Sequence, residues 1–189
     1  MRHYIYAFVA LVGVCTCPPF LRAETDESEG QPIEIATVTD TSSRSSAEIM
    51  NAFRQKVASH PSLFSLVSNL DESTGVVFDA DCMTREKPSD AYVCFYTSYY
   101  AGGVIKTPLG SGMYASKSAD DVAKNLLASM AQDVAKRWNI TMQSNAVKIM
   151  ESCLSATSSS CAVPAPLAPG LRTKVLNLAQ SLRKGELKK

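Results

Sequence analysis

Two segments, Gly75-Val-Val-Phe-Asp-Ala-Asp-Cys82 and Tyr92-Val-Cys-Phe-Tyr-Thr-Ser-Tyr-Tyr100, constrain the fold more than any other stretch of the chain. Both are rich in β-branched and aromatic residues and read as strands, and the polar, Pro-containing run 83–90 between them reads as a connection. The four cysteines beyond residue 23 permit three pairings, and in one of them a bridge between Cys82 and Cys94 would clamp the open end of this hairpin.

Whether cysteines pair depends on the compartment. Arg2 and His3 precede the apolar run Ile5–Val14, a charged start followed by an apolar stretch of signal-peptide length, too short to span a bilayer comfortably. A cut after Ala23 removes residues 1–23, although Leu21 is not the small residue preferred three positions before a cut; a retained anchor or a buried first helix is the alternative. Cys15 and Cys17 follow Val14 and Thr16, not the Gly or Ala that lipid attachment favours. A periplasmic or secreted location favours bridges, and proximity pairs Cys82 with Cys94 and Cys153 with Cys161, each worth about 2–3 kcal/mol on a loop-entropy estimate. A four-thiolate zinc site is the competing reading, but no C-x-x-C spacing supports it.

Charge and composition narrow the function. Nineteen Lys and Arg against eighteen Asp and Glu exclude the basic excess of an electrostatic nucleic-acid binder, and 46% apolar residues in 189 suffice for one sizeable core. Beyond residue 23 the only histidine is His60, before Pro61 at the expected end of a helix, so any triad or histidine-ligated metal would have to use it. No catalytic residue, metal site or cofactor is therefore assigned.

Residues 24–45 form an acidic leader and a first strand, Ile33–Thr39; residues 46–140 form an α/β domain; 141–170 a helical extension with a Pro-rich disulfide loop; and 171–189 a basic amphipathic tail helix. Ser45 and Glu48 make a capping box for a helix that buries Ile49, Met50, Phe53 and Val57 until Pro61 stops it. Leu63–Asn69 reads as a strand, and Gly102-Gly103 and Gly110-Ser-Gly112 punctuate a further strand or two ending near Ser116. Ser118, with Asp121, opens a helix carrying Val122, Leu126, Leu127, Met130, Val134 and Trp138 on one face; Asn139-Ile-Thr141 reads as an interruption and fits a glycosylation sequon. Pro164, Pro166 and Pro169 forbid a regular helix over 157–170. The fold expected is α+β: a mostly antiparallel sheet packed by two helices, with a C-terminal helical extension.

The order strand, helix, strand, hairpin, strand, helix over Ile33–Trp138 resembles the amino-terminal α/β module of TolB-type translocation proteins and periplasmic lipoproteins of similar topology. The likeness covers a little over half the chain and has no diagnostic motif; the β-propeller of those translocation proteins is missing. It implies a periplasmic protein that binds other envelope proteins.

Tyr92, Tyr96, Tyr99 and Tyr100, with Phe95, crowd one strand and are the expected binding residues. Alternation sends Tyr92, Tyr96 and Tyr100 to the face of Cys94, and Phe95 and Tyr99 to the other. One face is core; the other is covered by a helix of this chain or by a partner or ligand. Asp79 and Asp81 share a strand face, where they form either the polar side of a half-exposed sheet or the acid and base of a secreted hydrolase. Leu171, Val175, Leu178 and Leu182 form the apolar line of the tail helix, which docks on the body, on a partner or on an anionic membrane surface. The function expected is that of a non-enzymatic, exported protein-binding module with an envelope or secreted protein partner and no nucleic acid.

Overall fold

The alternating run Ile33–Thr39 forms β1, and the periodic segment after it forms helix α1, Arg44–Ala58; β2, Phe64–Val67, then returns parallel to β1. The hairpin is β3, Val76–Arg85, and β4, Ala91–Gly102, followed by β5, Ile105–Ser116, and helices α2, Ala119–Ser155, and α3, Pro169–Lys184. This computed structural model describes residues 30–39, 44–68, 75–85, 91–102, 105–155 and 165–184; the expected signal segment, most of the acidic leader and Cys161 lie outside them.

The five strands form one sheet in the order β2-β1-β3-β4-β5, parallel across β2-β1-β3 and antiparallel along the longer β3-β4-β5 ladders. The α+β class is as the sequence predicts. Ile35, Phe78, Cys82, Cys94, Tyr96, Tyr100 and Leu109 point to the side on which α1 and α2 pack, and α3 lies against α2. The expected faces of α1 and α2 are all buried: Ile49, Met50, Phe53 and Val57 on the first, Val122 to Trp138 on the second.

Cys82 and Cys94 are directly opposed and disulfide-bonded. The bridge does not clamp the open end of the hairpin. It lies within the ladder, because the strands continue through Met83↔Val93, Thr84↔Tyr92 and Arg85↔Ala91 on the connection side. The polar composition of 83–85 reads as loop, yet these residues are exposed strand. Nothing comparable is described for the second expected bridge, since Cys161 lies outside the described residues.

The paired span of β1 ends with Thr39 opposite Ala80, two residues short of Cys82. The first turn of α1 takes over there: the buried Ser46 hydroxyl donates to the Cys82 carbonyl at 3.1 Å and accepts the Cys82 N–H at 3.2 Å. One side chain thus satisfies two buried backbone groups that would otherwise cost about 1–3 kcal/mol each. Glu48 accepts a hydrogen bond from the Tyr92 hydroxyl, 3.2 Å away on β4, while the side chain of Ser45, its expected capping partner, lies outside the described residues. At α2 the expected cap is present, with Ser118 Oγ accepting the Asp121 N–H at 3.4 Å.

Three expected breaks are absent. Gly110 and Gly112 lie inside β5, not in a turn, because their missing side chains make room for the Asp133 carboxylate and the Tyr96 ring; a Cβ on Gly110 would collide with the first, and one on Gly112 would fall 2.8 Å from the second. Helix α2 passes through Asn139-Ile-Thr141 without interruption, since the Asn139 amide oxygen accepts the Leu167 N–H at 2.8 Å instead of competing for its own backbone. That engagement also leaves the sequon amide inside a structural contact. Pro169 opens α3 rather than preventing it, as a first-turn proline lacks only an N–H that a helix start leaves unpaired.

Candidate functional site

The four tyrosines do not share one surface. Tyr96 and Tyr100 belong to the helix-covered core, Tyr92 packs at its margin, and Tyr99 lies on the opposite side of the sheet. Four rings from four elements stack in sequence across the core: Phe53 on Phe78 at 4.5 Å, Phe78 on Tyr96 at 5.3 Å, and Tyr96 on Tyr114 at 6.1 Å between centroids. Tyr100 meets Trp138 edge to face at 5.3 Å, and burial pushes its hydroxyl up to about 12.

A polar cluster occupies the far end of this stack, between β4, β5 and the helices. The Tyr96 hydroxyl donates to Asp133 Oδ2 at 3.1 Å, Tyr114 and Ser129 share a hydroxyl–hydroxyl bond, and Arg183 of α3 donates to Ser129 Oγ at 3.4 Å. Burial raises the Asp133 carboxyl above the usual range, against the opposing pull of Tyr96, Arg137, Arg183 and Ser98. Burial, and then the Asp133 charge, likewise raises Tyr96. The arrangement ties the sheet to α2 and α3.

A raised folded-state carboxyl means that the folded chain binds more protons than the unfolded chain between the two pKa values, so stability falls as pH rises through that window. Acidification from neutrality into the range just above an ordinary carboxylate should therefore stabilise the native protein relative to Asp133→Asn. Urea titrations of both proteins at several pH values check this, and a relative loss for the native chain would contradict it.

The other side of the sheet carries no helix among the described residues. At the end away from the 86–90 connection, Ala36, Val77 and Ala101 form a small second cluster with Val38, Val67 and Tyr99, and Lys106 sits 5.2 Å over the Tyr99 ring. Toward the connection end the side chains are open: Met83 is 45% exposed, Phe95 48% and Met113 57%. The register makes these neighbours, because Asp81, Phe95 and Met113 lie in one row across β3, β4 and β5, and Met83, Val93 and Ala115 in the next. Asp79 and Asp81 are exposed beside this patch; Asp79 faces Thr97, and Asp81 faces Phe95.

The sequence placed Phe95 and Tyr99 on this side but missed Met83 and Met113, which alternation along β3 and β5 would have aligned with them had both strands been read at full length. His60 lies just beyond α1 and is engaged through its backbone, which donates to Val57 and accepts from Leu63 and Phe64. The apolar line of α3 is turned inward: Leu171 and Val175 are buried, Leu178 and Leu182 pack against the same core, and Arg172 Nε donates to the Ala135 carbonyl at 2.7 Å. Of the three surfaces expected for that helix, the body is the one it occupies. No described helix is long and apolar enough to cross a membrane. Compared with family models, curated proteins and solved structures, the chain matches none.

Proposed function

We propose that this chain is an exported, non-enzymatic protein-binding module that uses the helix-free side of its sheet. The observation that carries the reading is the cluster Met83, Phe95 and Met113, exposed together beside the carboxylates of Asp79 and Asp81. Flexible methionines next to an aromatic ring adapt to apolar side chains, and the adjacent acids favour a cationic rim. The partner is accordingly a protein segment in which large apolar residues alternate with Lys or Arg. The Cys82–Cys94 bridge and the apolar start of the sequence support an oxidising, periplasmic or secreted setting. The likeness to the TolB-type module favours an envelope partner.

The hydrolase alternative finds less support. Asp79 and Asp81 face a threonine and a phenylalanine on β4, so that strand sets no further acid or base beside the pair.

Immobilised protein, incubated with the extracytoplasmic fraction of its source, should retain a partner whose affinity falls by about thirtyfold in Met83→Ser/Phe95→Ser, as a lost contact worth about 2 kcal/mol requires. Lys136→Ser on exposed α2 should leave binding unchanged. Equal affinity for the native and Met83→Ser/Phe95→Ser proteins would overturn the reading.

A further inference from the structure

The two edges of the sheet are guarded unequally. Edge strand β2 is only four residues long. Edge strand β5 is twelve residues long, and its first half carries three devices that discourage pairing: Lys106, Pro108 and a register irregularity opposite Ser98 and Tyr99. Arg137 Nη1 also occupies the Leu109 carbonyl at 3.0 Å. The second half, Gly110–Ser116, contains neither charge nor proline and runs in unbroken register with β4. Among the described residues, no backbone bond from outside the sheet reaches Ser111–Ala115.

We propose that Gly110–Ser116 pairs antiparallel with the same segment of a second copy, joining two sheets into one across a two-fold axis at Met113. The segment is self-complementary in this register. Met113 meets its own counterpart, Ser111 meets Ala115, and Gly112 meets Tyr114, whose ring is held on the helix side against Tyr96 of its own chain. On the open side, the row from Phe95 to Met113 continues into Met113 and Phe95 of the second copy. Within Gly110–Ser116 no charges face one another, and the nearest cation of the strand's continuation, Lys117, lies about 26 Å from its own equivalent at 3.3 Å per residue. The pairing also doubles the apolar patch without depending on any partner for it.

Sedimentation velocity of the full chain over a wide concentration range should show a reversible dimer, and Ala115→Lys should weaken it by at least about tenfold by placing charge in the edge. Met113→Cys should give a disulfide-linked dimer on mild oxidation, with peptide mapping placing the link between the two substituted positions. Ser111→Cys alone should link poorly, and a mixture of Ser111→Cys with Ala115→Cys should link efficiently. Melting curves of the cysteine variants establish that they are folded. A monomer at every concentration, a dimer indifferent to Ala115→Lys, or equal linking by the Met113→Cys and Ser111→Cys variants would each overturn the proposal.

Discussion

Replacing Phe78 by alanine should cost about 3–5 kcal/mol, which for a chain of this size lowers the melting temperature by roughly 6–20 °C. Phe78 is fully buried and is held between Phe53 of α1 and Tyr96 of β4. Removing it empties the middle of the ring stack, and neither flanking ring can close the gap. Tyr96 is tied to Asp133, while Phe53 is fixed by a helix whose first turn is bonded to Cys82. By contrast Phe95, on the neighbouring strand but on the open side, should tolerate alanine within about 0.5 kcal/mol. Thermal and urea unfolding of both variants make the comparison, and similar losses would show that the stack is not the centre of stability.

Trp138→Ala should cost a similar amount, about 3–5 kcal/mol, but with a different local signature. The Trp138 indole is 5% exposed, meets Tyr100 edge to face, and donates its N–H to the Ala165 carbonyl at 3.0 Å. With the Asn139 contact to Leu167 it holds the approach to α3 against α2. Loss of the indole should therefore raise amide exchange along α3 more than along β3 and β4, because local opening follows the contacts removed. Uniform acceleration across the chain would mean that α3 is held chiefly by Leu171, Val175 and Arg172.

What the sequence made legible was periodic and local. The parity of β3 and β4 and the buried faces of α1 and α2 follow from repeats of two and 3.6 residues within short windows, and the pairing of Cys82 with Cys94 from their closeness in sequence. What it hid were the residues whose reasons lie far along the chain. Gly110 reads as a turn because nothing nearby shows that Asp133, 23 positions later, fills the space above it. Ser46 is indistinguishable from the other serines of 42–46 until β1 is seen to stop short of Cys82. The spacing Ser129, Asp133, Arg137 was a readable clue, a polar line at steps of four beside an apolar helix face. On the open side, alternation separated Phe95 from Tyr96, but only the full length of β5 brings Met113 next to Phe95.

The ring stack has a consequence for how the protein can be divided. Its four members come from α1, β3, β4 and β5, and each depends on a ring contributed by another segment. A truncation ending before Tyr114 strips one side of Tyr96, and one beginning after Phe53 strips one side of Phe78. Any cut of the chain between Phe53 and Tyr114 thus parts rings that pack on one another.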